Sequence, residues 1–321
     1  MFIHPIEKTG VLMQKKITVV GAGNVGATTA QLIAERNLAD VVLIDIMDGI
    51  PKGKALDIQQ ACPLWNSLSI ITGTNNYDDS SGSDIVVITA GLPRKAGMRR
   101  GDLLRANADI IRGVSEDIKK TSQDAIIIVV TNPMDVMTYL TQKITGFPHK
   151  RVVGMGGVLD TSRMRTFIAL ELDVPVEDVR ALVLGGHGDL MIPLSRVTSV
   201  KGKPILSIMP ESKITEIIER TKNGGAEIVG LLKTGSAYCA PAASIVEMIE
   251  TILGIKKEFL PCSAYLDGEY GVQGIYLGVP VELSVQGVDR IIEFDITGDE
   301  KKAFLNSAKR VHELITEMKI E

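Results

Sequence analysis

Three groups of residues in this chain have types and spacings that could do chemistry. The first is His187, set in Leu184-Gly185-Gly186-His187-Gly188-Asp189 after an apolar run. An imidazole, with an ordinary pKa of about 6.5, can take a hydroxyl proton and return it, and flanking glycines leave it open to a ligand. A packed histidine held by backbone is the bland account of the same residue. The second group is Asp160-Thr161-Ser162-Arg163. Asp160 could hold the imidazole N–H and support an imidazolium, while Arg163 could pair in bidentate fashion with a carboxylate. The plain alternatives are a helix N-terminal cap and a surface charge. The third is Leu92–Leu104, a loop carrying Arg94 and Arg100 among glycines and a proline. Two cations on a segment able to close suit a small dianion that must be gripped and sealed from water, although most basic runs are simply solvated.

A fourth pattern supplies the redox partner. Gly21, Ala22, Gly23, Asn24, Val25 and Gly26 spell G-x-G-x-x-G between an apolar strand and a helical stretch. The glycines allow a tight turn, close backbone approach to a pyrophosphate, and helix packing on the strand. Asp45 follows about 20 residues later, where a carboxylate meets the adenosine ribose hydroxyls. No arginine in Asp45-Ile46-Met47-Asp48 would neutralise a 2′-phosphate, so NAD is expected rather than NADP. Thr131-Asn132-Pro133 sits where a strand ends, at the edge that binds ligands in open α/β sheets, and also reads as a routine turn. Tyr139 and Lys143 match a Y-x-x-x-K pattern, but they stand in an ordinary helical stretch without the glycine spacing that pattern needs. The four groups together describe hydride transfer on a small dicarboxylic 2-hydroxy acid.

The elements that must position these groups read as an α/β chain: a Rossmann doubly wound parallel sheet plus a C-terminal α+β substrate domain. Lys16–Val20, Val41–Asp45, Ser69–Thr72, Asp84–Thr89, Ala125–Val130 and Arg151–Gly154 are near-continuous apolar runs, as expected of parallel strands buried on both faces. Ala27–Arg36 and Asn107–Lys120 read as crossover helices. Beyond residue 155 come a helix over Thr161–Glu171 and an apolar run over Val179–Leu184. A long helical stretch follows, interrupted at Gly224-Gly225 and Gly235, and then a hairpin of Tyr276–Leu283 with Arg290–Asp295. Thr297-Gly298-Asp299-Glu300 is a capping box. It opens a helix expected to bury Phe304, Leu305, Ala308, Val311, Ile315 and Met318. The expected division is an extension over 1–14, a dinucleotide-binding domain over 15–153 and a substrate domain over 154–321. Nothing in residues 1–12 has a periodic apolar face, so that stretch is expected to be disordered, or partly artefactual, and dispensable.

Composition narrows the classes. The 321 residues carry a formal charge of -4 with no long basic stretch, which argues against a nucleic-acid partner. No apolar run has membrane-spanning length, and no secretory or transit signal is legible, so a cytoplasmic protein is expected. Cys62, Cys239 and Cys262 are odd in number and contain no C-x-x-C, and the four histidines show no metal-ligand spacing; no metal is expected.

These residues together resemble the malate dehydrogenases of the lactate-dehydrogenase-like branch. The resemblance rests on Gly21–Gly26, Asp45, Leu92-Pro93-Arg94-Lys95, Gly97-Met98, Arg100, Thr131-Asn132-Pro133, Val158-Leu159-Asp160, Arg163 and Gly185–Asp189. Gly224–Val229, Thr234–Tyr238 and Ala240–Ser244 extend it, so that it runs from about Lys15 to the C-terminus. It implies His187 as proton acceptor and donor, Asp160 as its orienting partner and Arg163 as the clamp on the C1 carboxylate. It further implies Arg100 polarising the C2 oxygen, Arg94 binding the distal carboxylate and Asn132 contacting substrate. Asn107, Val130, Thr131 and Asn132 would line the nicotinamide side. The implied substrate pair is malate and oxaloacetate, the implied assembly a dimer or tetramer. Lactate dehydrogenase is the nearest rival, disfavoured by Arg94 and by Ala237 in the distal pocket. A catalytically inactive NAD-binding module is the rival of another class, disfavoured by the intact Asp160, Arg163 and His187. Two departures stand out: Arg99 makes a doublet with Arg100 where relatives often carry serine, and Ala96 replaces a frequent proline.

Overall fold

A computed structural model describes residues 15–92 and 100–318, Arg100 in its backbone only. The first half alternates strand and helix: β1 (Lys16–Val20), α1 (Asn24–Glu35), β2 (Asp40–Ile44), α2 (Ile50–Trp65), β3 (Ile71–Thr74), β4 (Ile85–Ile88), α3 (Arg100–Thr121), β5 (Ile126–Val129), α4 (Met134–Thr145) and β6 (Val152–Gly154). The six strands are parallel in the order β3-β2-β1-β4-β5-β6. Every residue of β4 and β5 is buried, because helices cover both faces of the sheet.

The second half begins with α5 (Gly156–Leu172), followed by β7 (Val179–Arg180), β8 (Val183–Gly185), β9 (Met191–Pro193), β10 (Ser199–Val200) and β11 (Lys203–Pro204). Helices α6 (Glu211–Leu232) and α7 (Cys239–Ile252) lead to β12 (Leu260–Asp267), β13 (Gln273–Ser284), β14 (Gly287–Ile291) and α8 (Gly298–Glu317). Antiparallel β12 pairs with β6, Ser263 opposite Gly154, and β13, β8 and β9 continue outward. One sheet of eleven strands therefore runs through both halves. The expected boundary near residue 153 falls within β6.

Several local expectations need correction. Helix α2 and strand β12 were not anticipated from pattern. Pro51 fits the first turn of α2, but Pro63 lies inside the helix, and Leu56 and Leu64 face solvent, so neither breaker rules nor a clean apolar stripe marks the helix. Pro261 argues against a strand, yet β12 accommodates it in register opposite Pro280, where neither residue has an N–H to give the ladder. The apolar run Val179–Leu184 divides between two sheets, β7 pairing with β10 and β8 with β13. Helix α6 runs unbroken through Gly224-Gly225. At the start of α8 the capping box forms as expected, Thr297 accepting from Glu300 N–H and Glu300 from Thr297 N–H. Leu305 is exposed, however: it lies about 100° around the helix from Phe304, and Leu314 completes the buried stripe instead. The expected extension, residues 1–14, lies outside the described residues.

Candidate active site

The carboxyl ends of the parallel strands gather the glycine pattern and Asp45. After β1, Gly21 turns at φ +102° and its N–H donates to Ile44 O of β2 at 2.8 Å. A Cβ on Gly26 would lie 1.8 Å from Gly21 O, so α1 can approach the turn this closely only with hydrogen at that position. Helix α1 starts after Gly23 without any side-chain cap, leaving its first amides for an anion. Asp45 directly follows β2. Its Oδ2 accepts Ala22 N–H at 2.7 Å and its Oδ1 accepts Met47 N–H at 3.0 Å. Lys54 of α2, which pattern alone does not single out, donates to Ala22 O at 2.6 Å. A glycine cradle, uncapped helix amides and a carboxylate at the neighbouring strand end together fit a dinucleotide.

Asn107 of α3 ties the next loop together. Its Oδ1 accepts Leu92 N–H at 2.7 Å, and its Nδ2 donates to Asn132 O at 2.7 Å and to Leu92 O at 3.3 Å. Thr131 Oγ1 donates to Ala90 O at 2.7 Å. Buried Asn107 thus acts on the backbone of both loops, while the Asn132 side chain is exposed beyond a cis peptide bond to Pro133 and Val130 is half-buried. Arg94, Lys95, Ala96 and Arg99 lie outside the described residues, as does the side chain of Arg100. Lys143 stacks over the Tyr139 ring at 5.3 Å on α4, one turn along, in an ordinary cation–π pair.

His187, Asp160 and Arg163 assemble on α5 and the loop after β8. Asp160 lies one turn inside α5, whose N-cap is Met155, so the capping account of Asp160 does not hold. Its buried Oδ2 stands 2.8 Å from His187 Nδ1, and its Oδ1 lies 3.6 Å from an Arg163 terminal nitrogen. Arg163 is largely buried rather than a surface charge. A Cβ on Gly224 would meet its side chain at 3.1 Å, tighter than an ordinary contact, whereas one on Gly225 would make an ordinary contact at 3.4 Å. Burial by itself lowers the His187 pKa, but the Asp160 charge and hydrogen bond, joined by Asp135, hold it above its ordinary value. Burial also lowers the Arg163 pKa, opposed by Asp160. With Nδ1 held by Asp160, Nε2 is the ring nitrogen directed away from it. Ser307 of α8 steadies the loop, accepting Gly186 N–H and donating to Leu190 O, both at 2.9 Å.

A groove of about 520 Å³ lined by Lys15, Asp84, Ser122 and Ile252 opens at the amino ends of the same strands. Open α/β sheets bind ligands at the carboxyl ends, and the titratable cluster is there, so the candidate site is the latter.

Residues 15–154 match the lactate/malate dehydrogenase NAD binding domain, and residues 157–321 match the lactate/malate dehydrogenase alpha/beta C-terminal domain. The chain belongs to the lactate/malate dehydrogenase family. Among this family's members it is 53% identical over 309 residues to a malate dehydrogenase of Rhodopirellula baltica, covering 96% of this chain and 98% of that one. A solved malate dehydrogenase from Salinibacter ruber superposes with a TM-score of 0.90 at 50% identity, covering 94% of this chain and 97% of that one. A lactate dehydrogenase from Cryptosporidium parvum, solved with lactic acid and nicotinamide adenine dinucleotide, superposes with a TM-score of 0.93. It is 44% identical, over 97% of this chain and 99% of that one.

Proposed function

We propose that this family member is an NAD-dependent malate dehydrogenase that interconverts (S)-malate and oxaloacetate. The observation that carries the reading is the buried Asp160 carboxylate, 2.8 Å from His187 and flanked by Arg163. In malate oxidation, His187 takes the C2 hydroxyl proton and Asp160 stabilises the imidazolium that forms; in the reverse direction the imidazolium returns that proton. Arg163 holds the C1 carboxylate, Arg100 polarises the C2 oxygen, Arg94 pairs with the distal carboxylate and Asn132 contacts substrate. NAD, held by Gly21–Gly26 and Asp45 with Asn107, Val130 and Thr131 on the nicotinamide side, supplies the hydride acceptor. In this reading residues 15–153 bind the dinucleotide and 154–321 supply the substrate site.

The Cryptosporidium parvum likeness makes lactate the second reading. Initial rates of NADH oxidation with oxaloacetate and with pyruvate separate the two. A preference for pyruvate overturns the malate assignment, and no turnover of either leaves only an NAD-binding module. We further propose a cytoplasmic homo-oligomer. Exposed Leu56 and Leu64 on α2 and Leu231 and Leu232 at the end of α6 support association, and light scattering after size exclusion distinguishes dimer from tetramer.

A further inference from the structure

A second buried carboxylate touches His187 from the opposite side of the sheet junction. Asp135 stands in the first turn of α4, three residues beyond Asn132, and is buried. Its Oδ2 accepts the backbone N–H of His187 at 2.9 Å, and its Oδ1 accepts the Ser263 hydroxyl of β12 at 2.6 Å. Both oxygens are therefore engaged by donors, and the α4 N-terminus favours an anion there. Three elements meet at this one side chain: the helix that follows the Thr131-Asn132-Pro133 turn, the first antiparallel strand, and the histidine loop. That loop needs such an anchor, because Gly185 and Gly188 both turn at positive φ around it and neither restrains the backbone by itself.

We propose that Asp135 is a positioning residue for proton transfer: its carboxylate pins the His187 backbone to the dinucleotide-side loop and places a second buried anion beside the imidazole. The inference rests on the reading of His187 given above. The charged groups that face the imidazole among the described residues are Asp160 and Arg163 from α5 and Asp135 from α4. Asp160 orients the ring through Nδ1, whereas Asp135 sets where the ring's backbone stands relative to Asn132. A ring held at the correct tilt but displaced from its register with the Asn132 loop would be a poor proton acceptor.

Asp135→Asn separates the two contributions, since the amide can accept from His187 N–H and donate to the Ser263 oxygen while losing the charge. Asp135→Ala removes both. Full-length variants are compared by NADH fluorescence titration, by pH profiles of kcat with oxaloacetate, and by NMR titration of the His187 imidazole. For Asp135→Asn we expect unchanged NADH affinity, reduced kcat, and an imidazole that titrates at lower pH than in the parent. For Asp135→Ala we expect kcat to fall by about 10²-fold, the scale of a misplaced catalytic group, with a smaller change in KM. Parental kcat and parental imidazole titration in Asp135→Asn overturn the proposal, whether or not the alanine variant folds. The imidazole titration requires no turnover, so it judges Asp135 even if the parent reduces no 2-oxo acid.

Discussion

Two clusters of charge, each built around a buried carboxylate, resolve its desolvation in opposite ways. At the end of α1, Arg36 pairs with Glu250 of α7 at 2.7 Å, and Lys256 pairs with the same Glu250 at 2.9 Å and with Glu247. Burial raises the Glu250 pKa, but two cations outweigh it and the carboxyl ends below its ordinary value. Around His187 the balance is reversed: two carboxylates, Asp135 and Asp160, face one arginine and one imidazole, and the Asp135 pKa is raised, burial being the chief cause. The first cluster is closed on itself and joins α1 to α7. The second carries an excess of buried acceptors that is relieved when the imidazole takes a proton. The Glu250 cluster ends with its charges matched; the His187 cluster is left one proton short, as the proposed proton transfer requires.

The comparison breaks most visibly at the charges that a substrate would complete. In the proposed reading the distal carboxylate needs Arg94, and leaving one member of a buried pair alone costs about 3 to 5 kcal/mol. Arg94→Gln should therefore lower kcat/KM for oxaloacetate by roughly two to four orders of magnitude and raise it for pyruvate. Steady-state kinetics on both substrates, with Lys95→Gln as control, decide this; an unchanged oxaloacetate preference removes the main reason for choosing malate.

His187→Asn should cut kcat by roughly 10²- to 10⁴-fold, the worth of a general base, while NADH fluorescence titration finds the cofactor bound as before. Near-normal turnover would mean that the uneven cluster is structural after all. The pH dependence sharpens the point. The His187 pKa is raised above 6.5, so malate oxidation, which needs neutral imidazole, should rise through a limb above that value, and oxaloacetate reduction should fall through it. Asp160→Asn should move this limb toward acid as well as lower kcat, because the imidazolium loses its closest anion. A limb that stays in place would assign it to another group.

The matched cluster predicts the smallest effect, and on a different observable. Glu250→Gln should lower Tm by a few degrees, about 1 to 2 kcal/mol once the partial exposure of Arg36 and Lys256 is discounted, with kcat unchanged. Because the folded-state pKa of Glu250 is depressed, its contribution is present above the ordinary carboxylate range and is lost as pH falls through that depressed value. The Tm difference between parent and variant should accordingly vanish in acid. A loss of activity matching the loss of stability would show that the two clusters are not independent.

What the sequence determined by itself is local or fixed by residue type. The β-branched runs at Lys16–Val20 and Ile126–Val129 fit strands buried on both faces, as a parallel sheet between helices provides. The glycines at 21 and 26 mark a turn that no side chain fits. Thr297 and Glu300 satisfy each other within one helical turn. The identities of His187, Asp160 and Arg163 as a chemical set were legible for the same reason, since few other residue types can exchange a proton beside a clamped anion. Their meeting was not, because residues 160 and 187 come together only when α5 packs against β8. Asp135 carries no such signal, because an aspartate in a first helical turn ordinarily faces water and nothing local reveals that β12 closes over it. Gly224-Gly225 reads locally as a helix interruption, and only the packing of Arg163 against Gly224 gives the first of them a reason. Burial and long-range partnership are properties of which surfaces meet, and only the tertiary structure decided them: each depends on free energy shared between segments distant in sequence, from 27 residues apart for Asp160 and His187 to 128 for Asp135 and Ser263.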